Sequence, residues 1–253
     1  MEKTKYSVII ISYNEEANIE KCIRRIKDAD ASAQIILSDG GSDDLTVSIA
    51  SEEGATVVSS RQGRGVQCNS GARYATGEIL LFLHADTVLP QNAFNILDDF
   101  FRSEKVKIGT FRLSFSKKNN VLKFYSMFTS IDSIYTSFGD QCIVTRKDFY
   151  DRLKGFKDWP IFEDVDILRR ARKETRIFSF PAYVITSSRR FEKTGLIKQQ
   201  LLNFLMIVQF LFGKSPNELA LMYNKNGTTN RRINNNSEPV KELSLPVVEF
   251  NNN

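Results

Sequence analysis

The strongest constraint on the fold of this chain is the regular alternation of strands and helices through its first ninety residues. Four short apolar runs predict strands, at Tyr6 to Ile11, Gln34 to Leu37, Ala55 to Val58 and Ile79 to Leu83. Between them, apolar residues recur at helical spacing, with Asn14 and Ser42 as the expected N-caps of the first two helices. Strands that alternate with helices predict an α/β fold, with a mostly parallel, twisted sheet flanked by helices.

The second half of the chain is less regular, but its pattern still predicts elements. We expect helices at Asn92 to Arg102, within Phe162 to Arg176 and at Leu196 to Phe212, and strands at Ile108 to Phe115 and Gly139 to Val144. We therefore expect one domain over residues 1–225, made of a regular α/β half (1–90), a less regular half (91–195) and C-terminal helices (196–225). Residues 226–253 are rich in Asn, Ser and charge, which predicts a flexible tail.

Three clusters of polar residues follow the first, second and fourth predicted strands, each at the carboxyl end of its strand. They are Ser12-Tyr13-Asn14-Glu15, Asp39-Gly40-Gly41-Ser42 and His84-Ala85-Asp86. In open α/β sheets, ligands bind in the crevice outside the carboxyl ends of the strands. Because three separate strand ends converge on one crevice, the sequence predicts a site for a nucleotide or a metal there.

Asp86 is the central candidate in this crevice, because a carboxylate that follows a buried strand can hold a divalent cation. Hard oxygen ligands together with bound phosphates suit Mg²⁺ or Mn²⁺. His84 is the only histidine in the chain and can face the same side of an extended segment as Asp86. The alternative is that Asp86 only caps the following turn, which a His-x-Asp segment taken alone would favour. Its place beside two other polar strand ends favours the metal site.

Asp39 and Arg64 are candidates for contacts with the nucleotide. Asp39 can accept hydrogen bonds from a base or a ribose, and the two glycines after it would let the backbone approach a ligand. The alternative is a loop aspartate that makes a local turn. Arg64 lies in the turn Gly63-Arg64-Gly65 and can reach a phosphate, although a surface arginine explains it equally well.

Further acidic and basic candidates lie in the second half. Glu163-Asp164 and Asp166 open a predicted helix, where a carboxylate can act as a general base or simply favour the helix dipole. Asp140 and Gln141 lie at a predicted strand edge and can bind donor or acceptor, with a turn as the alternative. Arg189 and Arg190 can stabilise a departing diphosphate.

The overall composition excludes several classes of protein. The chain has 253 residues, of which 42% are hydrophobic, so it can form a core and is not disordered throughout. Its three cysteines lie far apart without paired spacing, which argues against a disulfide framework or a zinc site and indicates a reducing compartment. The apolar runs are too short or too interrupted for a signal peptide or a membrane span, so we expect a cytoplasmic protein.

The basic residues are unevenly placed, and many of them lie between Arg146 and Lys198. Such a region can bind phosphates, nucleic acid or an anionic membrane surface, although solvated surface explains most of these side chains. The helix expected at Leu196 to Phe212 would allow the chain to rest on the inner face of a membrane and meet a lipid-linked acceptor. Burial against the sheet, or in a dimer interface, is the favoured interpretation of this helix.

In their order and spacing, these segments resemble glycosyltransferase family two. Ser7 to Glu16 resembles the opening of that family, Ser38 to Asp44 its Asp-Asp-Gly-Ser signature, His84-Ala85-Asp86 its Asp-x-Asp metal motif, and Glu163-Asp164 its acceptor-side motif. The resemblance spans residues 5 to 223, and it implies that residues 1–90 form a nucleotide-binding half and residues 91–195 an acceptor half. It is strongest to a short bacterial subgroup often encoded near radical-SAM proteins, with matches at Arg61 to Ala72, His84 to Pro90, Gly139 to Gln141, Glu163 to Asp166 and Thr186 to Gly195.

The resemblance implies a GT-A fold, a nucleotide-diphosphate sugar donor, with a UDP-sugar favoured, and inversion at the anomeric carbon. By position, Asp86 would hold the metal on the diphosphate and Asp164 would deprotonate the acceptor hydroxyl. The residues assigned to the donor site are Ser12, Tyr13, Glu15, Asp39, Arg64, His84, Asp140, Gln141, Arg189 and Arg190. His84 and Gly40 each replace an aspartate of the family pattern. The Gln-x-x-Arg-Trp motif of processive polymer synthases is missing, which predicts transfer of a single sugar.

Two other functions stay open from the sequence. A nucleotidyltransferase also joins an α/β sheet to an acidic metal site, but it would need a Gly-rich, basic loop where this chain has Ser12 to Glu15. A non-enzymatic protein would use the basic second half to bind anionic lipid. The expected partners are the sugar donor and a small-molecule or lipid-linked acceptor, without nucleic acid. Peripheral membrane contact and a homodimer also stay open.

Overall fold

A computed structural model describes residues 4–115, 141–187 and 196–226 of the chain. Within these residues, one sheet contains β1 (Tyr6–Ser12), β2 (Gln34–Asp39), β3 (Thr56–Ser59), β4 (Ile79–His84), β5 (Thr87–Val88), β6 (Ile108–Phe115), β7 (Ile143–Arg146) and β8 (Phe178–Thr186). The helices are α1 (Glu16–Ala29), α2 (Thr46–Glu52), α3 (Arg64–Arg73), α4 (Ala93–Phe101), α5 (Lys147–Arg152), α6 (Glu163–Ala171), α7 (Leu196–Leu211) and α8 (Pro216–Asn226).

The sheet is parallel in its first half and mixed in its second, with the strand order β3-β2-β1-β4-β7-β6-β8-β5. β1 pairs in parallel with β2 and β4, and β2 pairs in parallel with β3. β7 runs antiparallel to β4 and β6, while β6 and β8 are parallel and β5 closes one edge antiparallel to β8. This arrangement confirms the predicted α/β class with a sheet flanked by helices.

Apolar side chains cover both faces of the sheet, as β1 shows. Val8 and Ile10 belong to a cluster that includes the buried faces of α1 and α4, whereas Ile9 and Ile11 belong to a second cluster with α3 and α6. Successive side chains of a strand point to opposite faces. Because both faces are buried, β1 is apolar at every position from Val8 to Ile11, which is the pattern that identified it in the sequence.

α3 lies unusually close to the sheet, because glycines occupy its contact positions. A Cβ atom at Gly71 would lie only 2.4 Å from Cγ2 of Ile9 in β1. At the other end of the helix, a Cβ atom at Gly65 would lie 1.9 Å from the carbonyl oxygen of Lys157. α3 is therefore packed tightly between the first strands and the loop that precedes α6.

The predicted helix caps are wrong, although the predicted elements of the first half are all present. Glu15 and Leu45 are the N-cap residues of α1 and α2, and neither makes a side-chain cap hydrogen bond. Asn14 instead adopts a left-handed backbone conformation, with φ of 53°. Ser42 donates its hydroxyl to Asp39. Asn and Ser side chains can hydrogen-bond to nearby groups in a loop instead of capping a helix. Here the side chains of Asn14 and Ser42 make such bonds within the loops at the strand ends.

The second half departs further from the sequence prediction. β6 matches its predicted range, but the strand expected at Gly139 to Val144 is found as Ile143–Arg146. Cys142, immediately before it, has a left-handed φ of 56°, which prevents strand pairing at that residue. Gly139 and Asp140 lie outside the described residues.

β8 and α5 were not predicted. β8 contains Pro181, which lacks an N–H donor and argues against a strand in the sequence. Its pairing with β6 jumps from Phe180 opposite Phe111 to Tyr183 opposite Arg112, so Pro181 and Ala182 form a bulge. The bulge lets the proline lie within the strand without a ladder hydrogen bond.

α7 confirms the helix expected near the C-terminus, and it packs on the loop before α6. The ring of Phe210 stacks on Phe162, with ring centroids 4.7 Å apart, and meets Trp159 edge-on at 5.9 Å. In the part of the chain that the structure describes, no helix is long and apolar enough to cross a membrane. The tail predicted over residues 226–253 lies outside the described residues from residue 227 onward.

Candidate active site

The structure brings the three polar clusters together at one edge of the sheet. Ser12 of β1 is the register partner of Asp39 of β2, and His84 of β4 is the partner of Ile11. Neighbouring strands are spaced by about 4.8 Å, so the ends of β2, β1 and β4 together span about 10 Å. Tyr13, Glu15 and Asp86 follow directly in the adjoining loops, and all three are half-buried.

Asp39 is buried and its carboxylate accepts hydrogen bonds from both loops beside it. Oδ1 accepts from the hydroxyls of Ser12 (2.9 Å) and Ser42 (2.6 Å). Oδ2 accepts from the backbone N–H groups of Gly41 (2.9 Å) and Ser42 (2.8 Å). The local turn that the sequence offered as an alternative therefore forms. Its effect is to hold the carboxylate rigidly at the base of the crevice.

Gln67 of α3 closes the floor of the crevice and was not among the predicted site residues. Its Nε2 donates to the backbone carbonyl oxygens of Ser12 (2.6 Å) and Ser38 (3.0 Å), which clips the ends of β1 and β2 together. A Cβ atom at Gly40 would lie 3.1 Å from this amide nitrogen. Glycine at position 40, where the family pattern has aspartate, therefore leaves room for Gln67.

The loops after β1 and β2 brace each other over the crevice. The backbone N–H of Glu15 donates to Oγ1 of Thr46 (2.8 Å), and that of Asp43 donates to Oδ1 of Asn14 (3.0 Å). Asp44 accepts from the backbone N–H of Glu16 and from Thr46. Partial burial acts to raise the pKa of Asp44, but these hydrogen bonds outweigh it and hold the pKa below its ordinary value.

Asp86 and Glu15 lie within electrostatic reach of the same buried thiol. Burial raises the pKa of Cys22 to about 12, and the negative charges of Asp86 and Glu15 add to the rise. Sγ of Cys22 also contacts the carbonyl oxygen of Thr87, at 3.6 Å, in the segment that follows Asp86. α1 thus positions the turn that carries Asp86 beside the turn that carries Glu15.

The described residues do not form a complete metal site by themselves. Among them, no group of three or more His, Cys, Asp and Glu side chains could hold a metal ion. Mg²⁺ commonly binds through one or two carboxylates together with substrate phosphates and water. Asp86, half-buried at the crevice, fits the single carboxylate of such a set, in which the remaining ligands come with the substrate.

The second acidic group lies at the start of α6, and its members have different surroundings. Glu163, Asp164 and Asp166 are all buried. Asp166 binds the guanidinium of Arg170 (2.7 Å), which also donates to the backbone carbonyls of Leu153 and Gly155. Asp166 therefore holds the loop before α6 in place, which leaves Glu163 and Asp164 as the candidates for chemistry.

Glu163 and His84 line one small, mostly apolar cavity, together with Cys68 of α3 and five apolar side chains of the core. Burial raises the pKa of Cys68 well above its ordinary value. Glu163 and Asp164 add to the rise, while Arg64 opposes it. A Cβ atom at Gly65 would lie 3.3 Å from Cβ of Glu163, so Glu163 lies against the first turn of α3. The motifs that contain His84 and Glu163, which are 79 residues apart in the chain, therefore lie close together beside α3.

Asn69, on the other side of α3 from Gln67, hydrogen-bonds to α5 and to the loop between α5 and α6. Its Oδ1 accepts from the hydroxyl of Tyr150 (2.7 Å) and the backbone N–H of Phe156 (3.0 Å). Its Nδ2 donates to the carbonyl oxygen of Phe156 (2.9 Å) and to Oδ1 of Asp158 (3.1 Å). Only a close helix makes these bonds possible. One signal of this close packing is present in the sequence, namely the small residues Gly65, Ser70 and Gly71 along α3.

Gln141 is fully buried just before β7. Phe82 of β4 is the antiparallel register partner of Ile143, so Gln141 lies at the same end of the sheet as His84. Asp140, Arg189 and Arg190 lie outside the described residues, so their proposed roles stay predictions.

The family model for glycosyl transferase family 2 matches residues 7–174 of the chain. The chain belongs to this family. A curated relative, the 4,4'-diaponeurosporenoate glycosyltransferase of Staphylococcus haemolyticus, is 33% identical over 91 residues, which are 33% of this chain and 24% of the relative. The chain therefore matches about a quarter of the length of that relative.

Solved structures of glycosyltransferases share the fold at low sequence identity. S. aureus TarS in complex with UDP-GlcNAc has a TM-score of 0.61 and 21% identity, covering 72% of this chain and 58% of TarS. The mannosyltransferase PcManGT from Pyrobaculum calidifontis, in complex with GDP-Man and Mn²⁺, has a TM-score of 0.58 and 18% identity, covering 88% and 69%. Glucosyl-3-phosphoglycerate synthase from Mycobacterium tuberculosis has a TM-score of 0.55 and 18% identity, covering 81% and 80%. The predicted family and GT-A-like fold are confirmed.

Proposed function

We propose that the chain transfers a single sugar from a nucleotide-diphosphate sugar to an acceptor hydroxyl, with inversion at the anomeric carbon. The observation that carries the proposal is the convergence of the polar ends of β1, β2 and β4 at one edge of the sheet, where Ser12 pairs with Asp39 and His84 pairs with Ile11. Glu163, which opens α6, lines the same small cavity as His84, so the second acidic group lies near this edge. Donor and acceptor would therefore approach each other beside α3.

The donor is proposed to lie along the ends of β2, β1 and β4. The nucleoside would contact Tyr13, Glu15 and Asp39, and Arg64 at the start of α3 would face the diphosphate. A UDP-sugar is the favoured donor. TarS and the mycobacterial synthase are both solved with uridine nucleotides, whereas PcManGT is solved with GDP-Man. A divalent cation held by Asp86 would supply positive charge to the departing diphosphate. PcManGT and the mycobacterial synthase are both solved with Mn²⁺, which supports a divalent cation at the proposed donor site.

The acceptor side is proposed to supply the base. Asp164 would take the proton of the acceptor hydroxyl as the hydroxyl oxygen attacks the anomeric carbon from the face opposite the nucleotide. The bond from that carbon to the diphosphate oxygen breaks in the same step, and the nucleoside diphosphate leaves. Asp164 is buried at the first turn of α6, where the loop fixed by Asn69 and Arg170 sets its position.

A nucleotidyltransferase is disfavoured by the loop after β1. That position holds Ser12 to Glu15, whose backbone bonds to Ser42 and Thr46, and it offers neither a Gly-rich turn nor a basic side chain. The two functions release different products. A glycosyltransferase releases a nucleoside diphosphate, whereas a nucleotidyltransferase releases pyrophosphate.

The test is the Asp164→Asn variant, assayed for nucleoside diphosphate release in the presence of acceptor. We expect transfer to fall by roughly 10²-fold to 10⁴-fold, because the general base is lost. Donor binding, measured by calorimetry, should change little. The matched control is Asp99→Asn, an exposed carboxylate on α4, which should transfer at the wild-type rate. Near wild-type transfer by Asp164→Asn would show that the assigned base is wrong.

A further inference from the structure

α7 is apolar on two opposite faces, but only one of them is buried by the part of the chain that the structure describes. Met206 and Ile207 are buried, and Phe210 packs on Phe162 and Trp159. These positions share one side of the helix, as the spacing i, i+1, i+4 requires. This side anchors α7 to the loop that leads into α6.

The opposite side of α7 is apolar and largely exposed. It carries the exposed side chains of Phe204, Leu205 and Leu211 and the half-buried Val208, and the exposed Phe212 extends the row beyond the helix end. Among the described residues, nine large hydrophobic side chains are exposed, and five of them lie on α7, α8 or the turn between them. Phe212 is the most open, at 88% exposure. Contiguous exposed apolar surface of this kind marks an interaction site.

The charge of the surrounding sequence indicates which partner fits this surface. Residues 188–232 contain eight basic and two acidic residues, so this segment carries more positive charge than the whole chain, whose net charge is +5. The basic residues are Arg189, Arg190, Lys193, Lys198, Lys214, Lys225, Arg231 and Arg232. Apolar side chains flanked by Lys and Arg are the features of helices that lie on anionic membranes.

A second copy of the chain fits this surface poorly. In a two-fold dimer the same patch meets itself, and the sequence on either side of it carries the same excess of basic residues in both copies.

The length of α7 also excludes a membrane span. The 16 residues of α7 extend for about 24 Å, less than the hydrocarbon thickness of about 30 Å. An anionic lipid surface satisfies both the apolar face and the positive charge.

We propose that the outward face of α7, with Phe212 at its end, docks on an anionic phospholipid surface, with the helix lying parallel to the membrane. α7 also packs on the residues that precede Glu163 and Asp164, so docking would place the acceptor-side motif about one helix diameter, about 10 Å, from the lipid. The docking itself does not depend on the proposed sugar transfer, and it can be measured without nucleotide.

The test is flotation of the full chain with vesicles, without donor or acceptor. One set of vesicles contains phosphatidylcholine with about one third phosphatidylglycerol, and the other contains phosphatidylcholine alone. We expect the wild-type chain to float with the anionic vesicles only and to be released by 0.5 M salt, since the attraction is partly electrostatic. Phe212→Glu should reduce the bound fraction at least tenfold. This side chain is exposed, so its thermal melting should match the wild type.

The matched control is Leu45→Glu, which places the same charge on an exposed leucine at the start of α2, far in sequence from α7. Leu45→Glu should float as the wild type does. The proposal is overturned if the wild type fails to bind anionic vesicles, or if both variants lose binding equally. It is also overturned if size measurements show a dimer that Phe212→Glu converts to a monomer, because a second copy would then occupy the surface. Sugar transfer to a soluble acceptor, assayed in parallel, reports separately on the catalytic proposal.

Discussion

The two sides of the candidate site are built by different means. On the proposed nucleotide side, three neighbouring parallel strands place Ser12, Asp39 and His84 by register alone, and local hydrogen bonds then fix the loops. On the proposed acceptor side, Glu163 and Asp164 follow an irregular loop whose position depends on side chains that are distant in the sequence. Regular strand pairing thus builds one side, while the other depends on a few contacts from α3 and α6. The acceptor side should therefore be the more sensitive to single substitutions.

The largest effect should follow from Gly65→Ala, where α3 meets the loop before α6. A Cβ atom would lie 1.9 Å from the carbonyl oxygen of Lys157, a backbone atom that cannot rotate away. We expect the free energy of unfolding to fall by about 3 kcal/mol or more. Chemical denaturation measures this. Gly213→Ala is the control, because its Cβ would meet nothing and only its φ of +91° is unfavourable. It should cost about 1 kcal/mol.

Asn69→Ala should loosen the acceptor side and spare the nucleotide side. Its four hydrogen bonds to Tyr150, Phe156 and Asp158 would be lost, at an expected cost of about 2 kcal/mol in unfolding free energy. Because the loop would no longer fix Asp164, kcat should fall by about tenfold, which corresponds to about 1.4 kcal/mol of activation free energy. The donor KM should stay within about twofold of the wild type.

The control for Asn69→Ala is Asn92→Ala, at an N-cap where the side chain makes no cap hydrogen bond. It should leave both kinetic constants unchanged. A rise in donor KM without a fall in kcat for Asn69→Ala would contradict the assignment of Asn69 to the acceptor side.

Gln67→Ala, two residues earlier on the same helix, should give the reverse pattern. Two backbone carbonyls at the ends of β1 and β2 would lose their donor, so the crevice for the nucleoside would widen. We expect the donor KM to rise by about tenfold with a smaller change in kcat, measured in the same assay. Gln62→Ala, an exposed neighbour, is the control. Identical kinetic patterns for Gln67→Ala and Asn69→Ala would mean that α3 does not separate the two sides.

The contrast between the two sides also explains which parts of the fold and site could be predicted from the sequence. Strands β1, β2 and β4 were predictable because burial on both faces leaves a continuous apolar run. Their polar ends could then be placed together by the general rule for parallel sheets. β8 was missed because Pro181 lies in a bulge that only pairing with β6 accommodates. Gln67 and Asn69 were missed because the partners of these hydrogen bonds lie between 29 and 89 residues away in the chain, and no local pattern encodes such contacts.

The smallest predicted effect is on the loss of folding stability at low pH, and it follows from Asp44→Asn. The pKa of Asp44 is lowered in the folded chain, so its contribution to stability is present above its ordinary pKa of 3.8 and is lost as the pH falls through the lower folded value. Asp44→Asn should therefore lower stability slightly at pH 7 and flatten the loss of stability below about pH 4. Thermal melting from pH 7 to pH 2.5 measures the difference. An identical pH profile for Asp44→Asn and the wild type would contradict the assignment.

The central claim is that the ends of β1, β2 and β4 form a nucleotide-diphosphate site whose metal is held by Asp86 and the diphosphate together. Calorimetric titration of UDP, with and without Mn²⁺, tests it most directly. We expect Mn²⁺ alone to bind weakly, because the described residues hold no group of three acidic, His or Cys ligands. UDP should bind at least tenfold more tightly when Mn²⁺ is present, and Asp86→Asn should remove that gain. UDP binding that is unchanged by both Mn²⁺ and Asp86→Asn would contradict the claim.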